Sequence, residues 1–351
     1  MDPAIAQTQL FKEIHQQPAV IRRLLRDQRG AARELAEAIR RRGITHVVIA
    51  ARGTSDNAAR YAQYVLGVRN ELLVGLAAPS LITIYGRPPR FGNALVLGIS
   101  QSGRSPDIVA VLAAARHQGA LTGVITNDRE SDLAAEGDVV IDLQAGEEKA
   151  VAATKTYTGE LAAIALLSAS LASDDEAVAS LGEVPGVIEE VLSTGAAVAR
   201  VAAECREMER SVVIGRGYNY ATAFEMALKL KELTYTVVEP YSSADFLHGP
   251  LAIIERGFPA IVLAPSGRLL QESLSLIATL KERQAQVICV SDRREALDMA
   301  PVRLEIPCTV AEWLSPLTLI VPGQLLAMSL AHARGHDVDS PRAIQKVTRT
   351  R

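Results

Sequence analysis

Three strand-and-turn segments of this chain occur twice. Val-Val-Ile-Ala-Ala-Arg-Gly (47–53) returns as Val-Val-Ile-Gly-Arg-Gly (212–217), and Val-Leu-Gly-Ile-Ser-Gln-Ser-Gly-Arg (96–104) as Val-Leu-Ala-Pro-Ser-Gly-Arg (262–268). Val-Ile-Thr-Asn-Asp (124–128) returns as Ile-Cys-Val-Ser-Asp (288–292). Arg216 follows Arg52, Ser266 follows Ser102 and Asp292 follows Asp128, each by 164 positions. One spacing shared by three separated segments means a duplicated domain, and it is far too long for a solenoid repeat. Function should then lie in how the two copies differ. The length of 351 residues suits two domains, each able to bury its own core.

The composition excludes some partners. At formal charge −3, 48% hydrophobic and 4% aromatic, the chain gives no electrostatic reason to expect nucleic acid or a membrane surface. The start, Met1-Asp2-Pro3-Ala4, lacks the basic and apolar regions of a leader, and no uninterrupted apolar run reads as long enough to span a bilayer. Cys205, Cys289 and Cys308 are widely spaced and odd in number, which suggests neither a disulfide framework nor a metal site. Cys289 sits in an apolar run and reads as a core thiol. The expected compartment is the cytosol, and no metal or cofactor is expected. His332 and His336 are four apart, but Gly335 weakens any helix between them as a metal pair.

Each half alternates strand and helix. Strands are expected at 45–50, 94–99, 121–126 and 139–143, then at 211–214, 260–263 and 287–291. Helices are expected at 57–66, 106–118, 222–232 and from about 269 to 281. Strands apolar on both faces and separated by helices imply an α/β fold of two tandem domains, each a doubly wound parallel sheet flanked by helices. The expected order is an N-terminal helical arm (1–30), a first domain (31–172), a connector (173–197), a second domain (198–336) and a C-terminal arm (337–351). The connector is expected to be helical after a break at Pro185-Gly186.

Ligands of such sheets bind at the carboxyl ends of the strands. There the first copy carries Ser100-Gln101-Ser102-Gly103-Arg104-Ser105-Pro106-Asp107. Three hydroxyls converge on a helix N-terminus, where N–H groups and the dipole favour an anion. That suits a phosphate monoester, held without lysine or metal. A surface turn that only caps its helix is the plain alternative, but Ser100, Ser102, Ser105 and Gln101 together exceed what capping needs. The second copy, Pro265-Ser266-Gly267-Arg268, has lost most of them. Thr54 and Ser55 precede another helix, and Val151 to Thr156 form a third polar segment; each is either sugar-binding or merely a helix start. In the second copy, Lys229 and Glu232 share one helical face and can act on one ligand or pair with each other. His248 stands just before Gly249-Pro250 in a loop that restricts its position.

These residues carry a family resemblance. Arg-Gly-Thr-Ser-Asp-Asn, Ser-Gln-Ser-Gly, Val-Ala-Ala-Thr-Lys, Gly-Arg-Gly-Tyr-Asn-Tyr, Ala-Leu-Lys-Leu-Lys-Glu, His-Gly-Pro and Asp-Val-Asp-Ser-Pro-Arg follow one another in the order of double sugar isomerase (SIS) domain proteins. The chain resembles the isomerase part of glucosamine-6-phosphate synthase over almost its whole length. The resemblance implies that Ser100, Gln101, Ser102 and Ser105 hold a sugar phosphate, and that Thr54, Ser55, Val151 and Thr154 help bind the sugar. Glu232 would move a proton between C1 and C2, assisted by Lys229. His248 would open the ring from the neighbouring subunit of a homodimer with shared sites, and Lys346 would form a Schiff base with the keto sugar.

Two departures point elsewhere within the family. Ala-Asp-Phe-Leu precedes His-Gly-Pro where the synthase has Gly-Glu-Leu-Lys, and the phosphate loop ends Arg-Ser-Pro-Asp where the synthase has an acidic residue and threonine. Both are similar to SIS-type glucosamine-6-phosphate deaminases. The chain as it stands opens at the isomerase, so the expectation is a deaminase turning glucosamine 6-phosphate and water into fructose 6-phosphate and ammonia. A synthase-type aminotransferase or phosphosugar isomerase without its own glutaminase domain is the alternative, and a sugar-phosphate-binding regulatory module is another. The expected partner is a small 6-phosphosugar.

Overall fold

The computed structural model describes residues 3–346. The β-branched runs form strands as expected, namely β1 His46–Ala50, β2 Leu73–Leu76, β3 Ala94–Ser100, β4 Leu121–Thr126 and β5 Val139–Asp142 in the first copy. The second copy has β6 Arg210–Ile214, β7 Val237–Tyr241, β8 Pro259–Leu263, β9 Gln286–Ser291 and β10 Val302–Glu305. The sheet orders are β2-β1-β3-β4-β5 and β10-β9-β8-β6-β7, all parallel. Taken from the opposite edge, the second order repeats the first strand for strand, so the duplication extends to topology.

Burial explains which strands the sequence announces. Every residue of β3 and β4 is buried, so both read as continuous apolar runs. The strands β2, β7 and β10 went unforeseen because they are short and partly exposed at sheet edges. Pro240 sits within β7, where an edge strand with one neighbour tolerates a missing N–H.

The described residues divide into two bodies. One holds the first sheet and comprises 19–148, 155–182 and 345–346; the other holds the second sheet and comprises 3–18, 149–154 and 183–344. The N-terminal segment is therefore not one separate arm, since 3–18 belongs to the second body and the rest to the first. The connector also differs from expectation. The Asp175–Ser193 helix runs through Pro185 without the predicted break.

In the first body one sheet face carries a core of Val96, Ile108, Val111, Leu112, Val124 and Leu133, built with the Pro106–His117 helix. Residues 155–169 of the Lys155–Ala172 helix are buried throughout. In the second body, residues 315–331 of the Ser315–Ala333 helix are likewise buried. The stretch Glu312–Ala333 is long and apolar enough to cross a membrane, contrary to the sequence reading, yet its most apolar window is wholly buried. Its hydropathy is thus explained by core packing between sheet and neighbouring helices. Cys289 is fully buried on β9, as expected of a core thiol.

Candidate active site

At the end of β3 the chain turns sharply into the Pro106–His117 helix. Gly103 makes the turn at φ 61°, and a Cβ there would collide with the Ser131 side chain. The serines are organised by the turn itself. Ser100 Oγ accepts the Gly103 N–H at 3.1 Å, and Ser102 Oγ accepts the Arg104 N–H at 3.3 Å. Each hydroxyl, used here as an acceptor, keeps its own proton to donate. Ser105 occupies the N-cap position, with Pro106 in the first turn, but its side chain makes no capping bond. The capping alternative therefore fails at the residue that should carry it. Arg52 Nε donates to the fully buried Asp107 at 2.7 Å, tying the β1 turn to the same helix.

Beside this loop the first body has an open cavity of about 590 Å³. Gln101, Ser102, Arg104, Asp128 and Lys346 are among its lining residues. Lys346 is no solvated tail residue. Its ammonium lies 2.7 Å from Glu148 Oε2, and that carboxylate is fully buried. Glu148 also accepts the Thr156 hydroxyl at 2.8 Å. The fold thus brings the expected Schiff-base lysine to the wall that carries the expected phosphate loop. Ser55 turns inward, donating to buried Glu160 at 2.7 Å, while Thr54 opens the Thr54–Asn70 helix after Gly53.

The equivalent loop of the second copy is filled by its own carboxylates. Ser266 donates both its N–H, at 2.7 Å, and its hydroxyl, at 2.6 Å, to Asp292. Gly267, at φ 133°, has the Glu312 carboxylate packed against it, closer than any Cβ would allow. The groups that would meet an anion in the first copy already hold one here.

The second body carries a different feature on the Tyr220–Thr234 helix. Lys229 Nζ lies 2.7 Å from Glu232 Oε2 and 3.3 Å from Glu225 Oε1. Lys229 and Glu225 are fully buried, whereas Glu232 keeps 23% of its side chain exposed. Burial alone would depress the Lys229 ammonium, but Glu225 and Glu232 override it and its pKa ends raised. The expected pairing of Lys229 with Glu232 is thus present, with the cation held from a second side by Glu225 and Glu232 the one part-exposed member. Sequence reading missed Glu225, although a carboxylate four residues before Lys229 on an apolar helix was the available signal.

His248 follows the short Ser243–Leu247 helix and is exposed. Ser242 fixes that helix, accepting the Asp245 N–H at 3.1 Å and donating to its carboxylate at 2.7 Å. Gly249, at φ 136°, then turns the chain. The 149–151 segment is held from both ends of the chain. Glu13 accepts the Lys149 N–H at 2.5 Å and the Ala150 N–H at 3.2 Å, and the Asp339 carbonyl accepts the Val151 N–H at 3.2 Å. Asp339 also caps the Gln9–Asp27 helix through the Gln9 and Leu10 N–H groups. Val151 consequently has only its carbonyl to offer a sugar, and Thr154 is buried. Glu13 and Asp339 escaped the sequence reading because their partners are over a hundred residues away.

The chain belongs to the SIS domain family, whose model matches residues 42–170 and 205–329. It is 37% identical over 358 residues to the glutamine–fructose-6-phosphate aminotransferase (isomerizing) of Gloeobacter violaceus, covering 96% of this chain and 58% of that protein. The namesake of Thermococcus kodakarensis is 34% identical, with 96% and 57% covered. The chain thus spans less than two thirds of the length of these curated relatives. The C-terminal domain of the glucosamine-fructose-6-phosphate aminotransferase of Francisella tularensis superposes with a TM-score of 0.87 at 27% identity, covering 97% of this chain and all of that one.

Proposed function

We propose that this chain deaminates an amino-sugar 6-phosphate, converting glucosamine 6-phosphate and water into fructose 6-phosphate and ammonia. The observation that carries this reading is the Glu225–Lys229–Glu232 array. A proton shift between adjacent carbons needs a carboxylate held in place with one accessible face, and Glu232 is so held. His248 opens the pyranose ring. Glu232 then takes the C2 proton and returns it to C1, which turns the 2-amine into a 2-imine. Water adds to that imine and ammonia leaves, giving the 2-ketose. Ser100, Gln101, Ser102 and Ser105 anchor the phosphate, and Thr54, Ser55, Val151 and Thr154 are the sugar-binding residues that the family resemblance implies. Lys346, standing at the cavity wall, steadies the open-chain sugar by its charge or through a Schiff base.

Identity to the aminotransferases supports a second reading, in which the same groups run the reaction toward glucosamine 6-phosphate with ammonia supplied from elsewhere. Incubation with a panel of 6-phosphosugars, with and without added ammonia and following ammonia, ketose and amino sugar together, separates the two. Matched release of ammonia and fructose 6-phosphate supports the deaminase. Ketose–aldose exchange without ammonia identifies a plain isomerase, and binding without turnover a regulatory module. Both outcomes overturn the proposal.

A further inference from the structure

We propose that Arg104 is the cation of the phosphate loop, stored on Asp128 and handed to the phosphate when a ligand binds. This rests on reading the 100–105 loop as the phosphate site. Hydroxyls and a helix N-terminus offer hydrogen bonds to a dianion, yet leave most of its charge uncompensated. Among the described residues, Arg52, Lys346 and Arg104 are tied to the loop, its helix or the cavity wall, and their partners distinguish them. Arg52 is bound to fully buried Asp107, and Lys346 to fully buried Glu148, so releasing either would strand a buried charge. Arg104 differs. Its guanidinium is 66% exposed, lines the cavity beside Ser102 and lies 3.0 Å from Asp128, itself part-exposed at 28%. Such a pair is weak and is cheaply exchanged for a phosphate. Asp128 does not become destitute on release, because its Oδ1 accepts the Glu130 N–H at 3.0 Å.

The duplicated copy acts as an internal control. Asp292 stands where Asp128 does and takes both the N–H and the hydroxyl of Ser266, the counterpart of Ser102. The second copy keeps an arginine at the matching position, Arg268, yet there the aspartate takes the serine, whereas in the first copy Arg104 engages Asp128 and the Ser102 hydroxyl meets the loop N–H. What is particular to the first copy is thus the Arg104–Asp128 pair itself, which leaves Ser102 to the loop and sets a guanidinium at the cavity wall. A lysine in its place would keep the charge but lose the planar fork.

The test is a ³¹P NMR titration of inorganic phosphate and of glucosamine 6-phosphate into the full chain and three variants, with circular dichroism to confirm folding. Ser102→Ala checks the underlying reading. Arg104→Ala should weaken both ligands about tenfold. Asp128→Asn, which frees Arg104 and removes a repelling charge, should tighten both several-fold. Opposite signs are the signature, since a merely structural ion pair would weaken binding from either side. Arg104→Lys should recover part of the loss. If Ser102→Ala changes nothing, the loop is not the phosphate site and the proposal falls with it. If Ser102→Ala weakens binding while Arg104→Ala and Asp128→Asn shift it in one direction or not at all, the loop reading stands and Arg104 is only a surface pair.

Discussion

Single side chains decide most of what this chain can bind. Ser102 contributes one hydroxyl to a part-exposed turn and is no part of the buried core, so Ser102→Ala should leave the melting temperature nearly unchanged. It removes one charge-assisted hydrogen bond, worth about 1.5–3 kcal/mol, and should raise KM for every 6-phosphosugar roughly tenfold or more. Steady-state kinetics with two different 6-phosphosugars checks this, and an unaltered KM would move the phosphate elsewhere. The thiols offer a second residue-level test. Burial pushes Cys289 up to about 12 and Cys205 up to about 11, so neither should react with a thiol reagent in the native protein. Cys308 is accessible, but its hydrogen bond to Glu190 raises its pKa and lowers its thiolate fraction at neutral pH. Glu190→Gln should therefore speed modification of Cys308 at pH 8, with the gap closing as the pH rises. An unchanged rate would mean that the 2.9 Å contact is not kept in solution.

The Tyr220–Thr234 helix concentrates its function in one buried stripe. Replacing Lys229 by Met leaves Glu225 buried without a cation, a loss of about 3–5 kcal/mol. Because the Lys229 pKa is raised in the fold, its contribution is fully present below the unfolded lysine value of about 10.4 and declines as the pH climbs above it. Denaturant midpoints of Lys229→Met and wild type should thus stay far apart up to about pH 10.4 and begin to narrow only above it; a gap that does not change between pH 8 and pH 11.5 would refute the charge argument. Elements like this one were legible in the sequence where one local pattern sufficed. The inner strands announced themselves by continuous apolar runs, and Gly103, Ser105 and Pro106 by turn and helix-start chemistry. What stayed hidden depends on distant partners: the edge strands β2, β7 and β10, the continuity of a helix through Pro185, and the clasp of Glu13 and Asp339 on residues 149–151. The packing that carries a helix past a proline is invisible to local propensity.

For the whole molecule, the duplication divided the candidate groups between copies: phosphate loop and Lys346 in the first body, Glu232 and His248 in the second. The resemblance further implies that His248 serves a partner subunit's sugar, which a mixing experiment can test. Glu232→Gln and His248→Ala should each lower turnover by roughly 10²–10⁴ with phosphate binding retained. Mixing the two under subunit exchange should then restore one working site per dimer, and no recovery after confirmed exchange would rule out a shared site. The carboxylates lodged in the second loop have a consequence of their own. Asp292 and Glu312 act as a built-in, permanently bound competitor that no dilution removes. Equilibrium dialysis of a 6-phosphosugar should therefore saturate at one molecule per chain, however high its concentration. Asp292→Asn with Glu312→Gln should be the change that lets a second, weaker equivalent register, and two equivalents on the unaltered protein would refute the idea.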